Sequence, residues 1–438
     1  MFPSSAREVA AALLNARDRG LPFRVRSGGH SVDGFSSVEG GIVIDLGKLD
    51  SIEVSDDMAY ATIGVGTQIH CVYERLADVG RAVPGGIGHT VGVGGFTTGG
   101  GMGTLARWLG AMAHNVVSLE AVDAQGRIVH ADREQNSDLF WACLGAGGGN
   151  FAIITSLRFR ITPLAFVTTY RLSWSWEDFE DVYRVWESWA PYTDNRLTAY
   201  IALWPTTLAN RVDVGGVFPG TETELQSLLR PLLREVPRPI DRRARRSSFP
   251  EAIRTLLAGI AEESFDIGAR AITASPTFDA PLDDTAVQAL REWHTKAPCN
   301  SFTWSFPGGG ALTTETETGA TSFAHGVSAQ NMLFRSDWTE PADDAACVAW
   351  AQGIYNDVRH RVTGAYLNWT NVEIEARPHM LYGDGFPRLM QIKHRYDPQG
   401  VFGFSHSIPA TLSRTECVNL ELPGTMVAEI ERRGLLRG

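Results

Sequence analysis

A glycine-rich segment from Val91 to Gly103 reads V-G-V-G-G-F-T-T-G-G-G-M-G, and a second motif, R-S-G-G-H-S, occupies Arg26 to Ser31. Glycine has no Cβ, so its backbone can adopt positive φ and approach a ligand closely. Two such segments predict a large cofactor whose phosphate-bearing tail is held by main-chain N–H groups. His30 then stands out, because it is the histidine of the second motif and directly follows its two glycines.

Length and charge limit the classes of protein that this chain can belong to. With 438 residues it is long for one hydrophobic core, so we predict two domains. A net charge of −11 argues against nucleic acid or an anionic membrane as a partner. The basic cluster of Arg242, Arg243, Arg245 and Arg246 is predicted to be a solvated loop, because the surrounding chain is not basic.

Cysteine usage and targeting signals favour a cytoplasmic enzyme. The five cysteines are scattered, with no C-x-x-C pair and no His/Cys ligand spacing, so we expect no metal. A disulfide framework is not expected at this length, and Cys71 and Cys143 are predicted to be buried apolar side chains. No secretory leader pattern is seen, and no apolar run reaches membrane-spanning length.

Apolar periodicity predicts alternating helices and short strands in the first part of the chain. Ser5 and Glu8 form a capping-box pattern in a helix over 4–19. Two further helices are predicted, over 67–79 and 137–144. Strands are predicted at 23–26, 41–46, 59–65, 117–122, 128–130 and 152–161.

The sequence changes in character after about residue 167 and again after about residue 364. The middle part is predicted to be a separate α+β unit, with strands at 197–204 and 212–218 and a helix at 221–236. We expect its tryptophans to pack in a core, namely Trp174, Trp176, Trp186, Trp189 and Trp204. The last part is predicted to contain a strand at 365–369, a helix at 386–396, and a tail at 411–438 with one short helix.

The glycine segments are neither a Rossmann fingerprint nor a P-loop, since no G-x-G-x-x-G opens a helix after the first strand and no G-K-[ST] occurs. The chain carries a different ordered set of motifs: R-S-G-G-H-S at 26–31, G-I-V-I-D-L at 41–46, G-V-G-G and G-G-G-M-G within 92–103, N-S-D-L-F-W-A at 136–142, G-G-G-N-F at 147–151, Y-L-N at 366–368 and R-Y-D-P-Q-G-V-F at 395–402. In this set it resembles the flavoprotein superfamily of p-cresol methylhydroxylase and vanillyl-alcohol oxidase, and within it the berberine-bridge-enzyme-like oxidases. The resemblance extends from Ser5 to Pro409.

The resemblance implies an α+β fold in which a two-part FAD-binding domain of vanillyl-alcohol-oxidase type is joined to a substrate domain with an antiparallel sheet over the flavin. The expected FAD-binding parts are residues 1–165 and 365–411, the substrate domain is 166–364, and 412–438 is a C-terminal tail. The cofactor-binding residues that it implies are Arg26, Ser27, Gly28, Gly29, His30, Ser31, Gly88, His89, Thr90, Gly92, Gly94, Gly95, Gly99, Gly100, Gly103, Gly149, Asn150, Ile153, Tyr366 and Asn368.

The histidine of the R-[SG]-G-G-H motif in these relatives bonds covalently to the 8α carbon of the flavin, and His30 occupies that place. The flanking glycines let the backbone approach the cofactor, which favours the covalent role over a buried structural histidine. Many relatives carry a second tether, a cysteine in C-P-x-V-G, where this chain has Gly88-His89-Thr90-Val91-Gly92. The resemblance therefore implies one covalent link, through His30.

The residue that accepts the substrate proton is not evident from the motifs. Relatives that oxidise sugars or alcohols commonly place a tyrosine after the asparagine of Y-x-N, where this chain has Trp369. Indole is not a base, so Trp369 is either a flat wall for an aromatic substrate or a core residue. His89 is the candidate base, with a loop-orienting role as the alternative. Tyr366 is expected under the flavin, together with Asn368.

These observations predict an FAD-dependent oxidase that acts on an alcohol, amine or C–H centre of a hydrophobic secondary metabolite, with O₂ as electron acceptor. One alternative is a sugar or oligosaccharide oxidase, which the missing tyrosine and the missing second tether disfavour. Another is a cyclase or isomerase in which the flavin shapes the pocket without net oxidation. A pure binding protein is the least favoured reading, and we expect a monomer or homodimer.

Overall fold

A computed structural model of the protein describes residues 1–205, 208–236, 238–258, 270–375 and 377–437. The chain packs around two large hydrophobic cores. One core combines side chains from the first part of the chain, side chains after residue 364 and one face of the middle part, and the other core belongs to the middle part alone. No described helix is long and apolar enough to cross a membrane.

The first part of the chain builds an antiparallel sheet with the strand order β3-β4-β8-β6-β7. A parallel pair, β1 and β2, and a short pair, β5 and β9, accompany this sheet. The strands are β1 (Phe23–Arg26), β2 (Ile42–Asp45), β3 (Ile52–Val54), β4 (Tyr60–Gly64), β5 (Arg81–Ala82), β6 (Val116–Val122), β7 (Ile128–Asp132), β8 (Ile153–Arg160) and β9 (Thr162–Pro163). The helices are α1 (Ala6–Asp18), α2 (Ile69–Ala77), α3 (Val93–Thr98), α4 (Ala106–Leu109) and α5 (Ser137–Cys143).

Helix α1 begins at the predicted cap but completes it differently. The Ser5 hydroxyl accepts from the Glu8 N–H at 3.3 Å, as a capping residue does. The Glu8 carboxylate instead accepts from the N–H and hydroxyl of Ser4, at 2.7 and 2.9 Å. The reciprocal half of the box is therefore shifted by one residue.

The middle part forms a larger sheet of nine strands within the described residues, with the path β13-β10-β12-β11-β16-β17-β15-β18 and β14 paired to β17. The strands are β10 (Phe166–Ser175), β11 (Tyr200–Trp204), β12 (Arg211–Phe218), β13 (Asp241–Ser248), β14 (Arg270–Ala274), β15 (Pro276–Phe278), β16 (Asn300–Pro307), β17 (Gln330–Trp338) and β18 (Gly364–Ala365). The helices are α6 (Phe179–Trp189), α7 (Glu222–Glu235), α8 (Phe249–Ala258), α9 (Asp284–Thr295), α10 (Ala311–Glu317) and α11 (Asp344–Val358). All pairings in this sheet are antiparallel, as expected for the substrate domain.

Side chains alternate across this sheet, so its two faces have different roles. On β17, Met332, Phe334 and Trp338 belong to the second core, where they pack with residues of α6, α9 and α11. The intervening residues of β17, such as Leu333 and Arg335, face the other way and line a cavity. The helices therefore cover one face, and the other face is left to roof the first part of the chain.

The last part of the chain returns to the first core through α12 (Pro378–Tyr382), α13 (Phe386–Tyr396), α14 (Arg414–Asn419), α15 (Gly424–Arg432) and the pair β19 (Leu412–Ser413) and β20 (Leu436–Arg437). A buried lysine fixes this return. Lys393 Nζ donates to the carbonyl oxygens of Asn150 and Phe402, at 2.6 and 2.7 Å, and pairs with Asp397 at 2.7 Å. The two parts of the chain that form the first core are thus joined by polar contacts as well as apolar packing.

Four local predictions are wrong. The arginine cluster at 242–246 is not a loop: it is most of edge strand β13, which pairs with β10 along its length. The chain at 365–369 is not a strand, because only Gly364–Ala365 pairs and Leu367–Trp369 forms one turn of 3-10 helix. Residues 411–438 contain two helices, and Met426 and Ile430 of the second are buried in the first core. Cys71 is exposed, whereas Cys143 is buried as expected.

Candidate active site

A cavity of about 1030 Å³ lies between the first part of the chain, the large sheet and the loop after β18. Its walls include the loop at 27–33, glycines of α3 and the 147–149 loop, and the face of β14, β16 and β17 that the helices leave uncovered. Of the predicted site residues, those that line it are Ser27, Gly28, Gly29, His30, Ser31, Gly88, Thr90, Gly92, Gly94, Gly95, Gly103, Gly149, Asn368 and Trp369. Sequence segments far apart in the chain therefore meet in one site.

The two glycine motifs touch each other through their backbones. A Cβ on Gly28 would lie 2.2 Å from the Gly92 nitrogen, and a Cβ on Gly92 would lie 2.3 Å from the Gly28 nitrogen. Neither distance is compatible with a side chain, so both positions require glycine. This contact brings the R-S-G-G-H-S motif against the start of α3 and places His30 beside the glycine-rich segment at 91–103.

Two other glycines face open space. A Cβ on Gly95 or on Gly149 would meet no atom within 4 Å, and both residues line the cavity. Gly149 also has φ of +81°, a conformation that side-chain-bearing residues rarely adopt. A side chain at Gly95 would occupy cavity volume without disturbing the protein, so this glycine leaves room for a bound group.

His30 lies on the cavity wall, with its Nε2 2.8 Å from the Thr90 hydroxyl oxygen. The surrounding protein partly removes water from His30, which lowers its pKa; the nearby Arg335 cation lowers the pKa further, and a hydrogen bond to the Thr90 backbone opposes the shift. A lowered pKa keeps the imidazole neutral at physiological pH. A neutral imidazole has a nitrogen lone pair, which a nucleophile requires.

The loop at 88–90 contributes to the cavity without a thiol. Gly88 and Thr90 line the cavity, but the side chain of His89 is not part of its wall. The His89 carbonyl oxygen accepts from the His70 N–H at 3.2 Å, and the two imidazole rings are 6.2 Å apart. No cysteine is found among the residues that line the cavity in the described part of the chain.

The Y-L-N motif is wedged under the glycine segment. The Tyr366 hydroxyl accepts from the Met102 N–H and from Asn368 Nδ2, both at 2.9 Å. Burial raises the pKa of Tyr366 to about 12, so its hydroxyl stays protonated. Asn368 Nδ2 also donates to the Phe96 carbonyl oxygen at 2.9 Å, and a Cβ on Gly99 would lie 1.9 Å from Asn368 Oδ1. Asn368 reaches the cavity, whereas Tyr366 supports it from below.

The remaining predicted residues lie behind the cavity wall. Arg26 pairs with Asp45 at 2.6 Å, and Ile153 is buried in β8, where the next residue, Ile154, lines the cavity. Gly100 packs so closely that a Cβ would lie 2.3 Å from the Phe323 ring.

Asn150 has a structural set of hydrogen bonds. Its Nδ2 donates to the Ala146 carbonyl oxygen at 2.6 Å, and its Oδ1 accepts from the Ile408 N–H at 2.9 Å. The backbone carbonyl of Asn150 also accepts from Lys393. Asn150 thus joins the G-G-G-N-F motif at 147–151 to the last part of the chain.

An aromatic roof covers part of the cavity and was missed by the sequence reasoning. Phe302, Trp304 and Phe306 alternate along β16 and line the cavity together with Leu333 and Trp369. The Trp304 and Phe306 ring centroids are 4.8 Å apart, and those of Phe306 and Trp369 are 5.8 Å apart. The alternation F-T-W-S-F at 302–306 is the signal that could have indicated this face.

Beside the aromatic roof lies an ion pair. Arg335 and Asp337 both line the cavity, and the carboxylate oxygens of Asp337 accept from Arg335 Nε and Nη2 at 2.7 and 2.6 Å. Burial raises the pKa of Asp337, while the Arg335 guanidinium opposes that shift. The R-S-D spacing on a strand puts both residues on one face, but sequence alone did not show which face met the cavity.

Two further acidic side chains lie at the edge of the site. Asp33 lines the cavity and accepts from Asn371 Nδ2 and the Val372 N–H, at 3.3 and 3.2 Å. Burial raises the pKa of Asp33 to about 6. Glu375 is buried, with Oε1 accepting from the Ser275 N–H at 2.8 Å, and burial raises its pKa to about 8. The two carboxyl groups interact unfavourably when both are charged.

Glu375 should make the stability of the protein depend on pH. Its folded pKa of about 8 exceeds the ordinary value of 4.5, so the native state binds this proton more tightly than the unfolded chain. Stability is therefore expected to fall as pH rises from 4.5 to 8, by up to about 1.4 kcal/mol per pH unit from this group. In Glu375→Gln this contribution should vanish. The Tm of the variant minus the Tm of the native protein should therefore increase as the pH rises.

Thermal unfolding of both proteins across this pH range measures the effect. Glu373→Gln is the matched control, because Glu373 is exposed and lies in the same loop. A Tm difference between Glu375→Gln and the native sequence that stays constant with pH would contradict the assignment.

Comparisons with known proteins agree with this architecture. A family model described as "FAD binding domain" matches residues 1–132, and one described as "Berberine and berberine like" matches residues 365–409. The chain is 34% identical over 416 residues to "Uncharacterized FAD-linked oxidoreductase YgaK" of Bacillus subtilis, which covers 93% of this chain and 90% of that protein. It is 28% identical to "Berberine bridge enzyme-like C-1" of Nicotiana tabacum, over 95% of this chain and 85% of that protein.

Solved structures show the same fold at lower identity. The wild-type BBE-like 1 of Physcomitrella patens superposes with a TM-score of 0.86 at 23% identity, over 93% of this chain and 90% of that one. A chitooligosaccharide oxidase superposes with a TM-score of 0.83 at 22% identity, over 93% of this chain and 91% of that one.

Proposed function

The chain belongs to the berberine-bridge-enzyme-like family of FAD-linked oxidoreductases, and from this premise we propose that it oxidises an alcohol, amine or C–H centre of a hydrophobic small molecule of secondary metabolism. The aromatic roof carries this proposal. Phe302, Trp304, Phe306 and Trp369 present flat apolar surface to the cavity, which suits an aromatic or polycyclic substrate. O₂ is the proposed final electron acceptor.

The residues present fit FAD. Gly95 and Gly149 leave open volume that a Cβ would fill, and the closely packed Gly28 and Gly92 expose backbone to the same cavity. These glycines, with Asn368 beside α3, would hold the cofactor. When bound, FAD supplies a two-electron acceptor for hydride.

We propose a single covalent link between His30 and this FAD. A nitrogen of the neutral His30 ring would form a bond to the 8α carbon while one C–H bond of that methyl group and the N–H bond of the imidazole are broken, and O₂ would take up the two electrons and two protons as hydrogen peroxide. Gly88 and Thr90, at the place of the second tether in relatives, carry no thiol. This supports one link and leaves that side of the cavity open.

The predicted catalytic residues receive different proposed roles. Trp369 forms a substrate wall, 5.8 Å from Phe306. Tyr366 holds Asn368 and Met102 by hydrogen bonds and, with a pKa of about 12, is a poor base. His89 lies outside the cavity wall, so its role as base has no support from geometry. Asp33 is the carboxylate on the cavity wall whose pKa, about 6, suits proton acceptance.

The sugar-oxidase alternative is favoured by the similarity in fold to a chitooligosaccharide oxidase and to a Phl p 4 variant described as a glucose oxidase. The roof argues against it, because sugar hydroxyls need many polar partners and Phe302, Trp304, Phe306 and Leu333 offer one indole N–H among them. A cytoplasmic location and a monomeric or homodimeric state stay predictions.

Anaerobic titration of the flavoprotein tests the proposed function. Aromatic alcohols and amines should bleach the flavin absorbance, and re-aeration should restore the absorbance with release of peroxide. Trp369→Ala should weaken binding of these compounds without loss of bound flavin. Bleaching by oligosaccharides alone would favour the alternative, and product formation with neither bleaching nor peroxide would contradict net oxidation.

The substitution Gly95→Ala tests whether the glycines that line the cavity make room for FAD. Its Cβ meets no protein atom within 4 Å, and alanine in place of a helical glycine is stabilising by about 0.5–1 kcal/mol, so the flavin-free protein should be at least as stable. The added methyl should nevertheless lower the flavin content of the purified protein, because it enters the cavity. Gly424→Ala, also in open space on a helix but outside the cavity lining, is the matched control. Normal flavin content in Gly95→Ala would refute this use of Gly95.

A further inference from the structure

Asn331 on β17 is a buried amide without a partner. Its exposed fraction is 1%, and neither Oδ1 nor Nδ2 has a hydrogen-bond partner among the described residues. Alternation along β17 puts Asn331 on the face of Leu333 and Arg335, which line the large cavity. Leaving such an amide unpaired costs stability, so its presence requires an explanation.

The neighbouring residue shows how this fold satisfies a structural amide. Gln330 is equally buried, at 2% exposure, and faces the opposite way. Its Oε1 accepts from the hydroxyls of Tyr183 and Ser305, at 3.0 and 3.2 Å, and its Nε2 donates to Glu187 at 3.0 Å. Both polar atoms of the Gln330 side chain form hydrogen bonds. Those of Asn331, on the opposite face of the strand, form none with the described residues.

Asn331 opens onto a small cavity of about 20 Å³. Three residues of its lining, Met102, Gly103 and Phe306, also line the large cavity, so the two spaces adjoin. This volume holds about one water-sized group. The amide therefore lies in a small space directly beside the large cavity, with Met102, Gly103 and Phe306 between the two.

Two further buried polar atoms without partners lie on residues of the large cavity. They are Trp304 Nε1 and Thr104 Oγ1. Trp304 pairs with Leu333 across the strands and Phe306 with Asn331, so Trp304 and Asn331 are close on the same face. An aromatic roof thus contains donors and acceptors that the protein itself does not satisfy.

We propose that Asn331 is a hydrogen-bonding subsite for a hydroxyl or carbonyl oxygen of an otherwise apolar, aromatic ligand that enters the small cavity past Phe306, with Trp304 and Thr104 as the unpaired polar groups on the adjoining wall of the large cavity. As a substrate site it rests on the proposed function, and it narrows the substrate class to oxygenated aromatic compounds. The Asn331 amide can serve a hydroxyl group both as donor and as acceptor. Most residues around the small cavity are apolar, with Arg107 and Thr198 as the other polar members, and a low-dielectric setting of this kind raises the cost of leaving the amide unpaired.

The subsite is tested by measuring how tightly phenol and toluene bind to the flavoprotein. The change in flavin absorbance reports the binding of each compound. The two probes have similar size and differ in the hydroxyl group. The native protein should bind phenol more tightly by about tenfold, as one net hydrogen bond gives. Asn331→Leu should lose this preference while its resting flavin spectrum is unchanged. Neither measurement needs turnover, so failure of the oxidase proposal and failure of the subsite are distinguishable.

Thermal unfolding supplies the structural control. Asn331→Leu should keep or raise the Tm, since it removes an unpaired buried amide, whereas Gln330→Leu should lower the Tm by leaving the Tyr183 hydroxyl without its acceptor and by removing one donor to Glu187. Three results would overturn the proposal: a Tm loss in Asn331→Leu as large as in Gln330→Leu, a retained preference for phenol, or a changed resting flavin spectrum. The last would mean that Asn331 contacts the FAD instead.

Discussion

Replacement of His30 by alanine is expected to leave a protein whose flavin is released by acid precipitation, whereas the flavin of the native protein should remain bound. His30 is the cavity-lining imidazole, and its lowered pKa keeps the ring neutral and nucleophilic. The same replacement should lower the midpoint potential of the flavin, because the electron-withdrawing link is lost. For a two-electron couple, every 30 mV lost corresponds to about 1.4 kcal/mol of driving force.

Mass spectrometry of the denatured protein measures the link directly, and a redox titration measures the potential. Thr90→Val is the matched control: it removes the hydroxyl 2.8 Å from His30 Nε2 but keeps the nucleophile, so the covalent flavin should persist. Covalently bound flavin in the alanine variant would refute the assignment of the tether to His30.

Replacement of Lys393 by methionine is expected to destabilise the protein by about 3–5 kcal/mol, the cost of leaving one partner of a buried ion pair alone. The side chains of Lys393 and Asp397 are 2% and 0% exposed. The methionine would also leave the carbonyl oxygens of Asn150 and Phe402 without their donor. Asn150 directly follows the glycines at 147–149, which line the cavity. We therefore also expect the variant to bind less flavin.

Urea unfolding monitored by tryptophan fluorescence gives the change in the free energy of unfolding. Arg395→Met, two residues away on α13, is the control, since the Arg395–Asp138 pair has a 68% exposed arginine and should be worth less than about 1 kcal/mol. A loss in Lys393→Met no larger than in Arg395→Met would show that the buried pair does not hold the last part of the chain in place.

Helices and strands with strong apolar periodicity were predictable from the sequence. The bounds of α13 match the prediction, and those of α1, α2, α5 and α7 lie within two residues of theirs at each end. Strand β13 was missed because its exposed arginines give no apolar pattern, and its pairing with β10 decides its conformation. The sequence predicts a strand at 365–369, but pairing ends at Ala365 and the chain then turns, with the Tyr366 hydroxyl bonded to Met102 and Asn368.

The sequence by itself determined the family, the order of the motifs and the residues that must be glycine, because a backbone contact such as that of Gly28 with Gly92 tolerates no side chain and so leaves a local mark in the sequence. The tertiary structure alone decided which side chains face the cavity. Strand pairing sets the register of β16 against β17, and that register places Phe306 beside Asn331 and Trp304 beside Leu333. Such neighbours are distant in sequence, and a register shift of one residue would turn each of them to the opposite face.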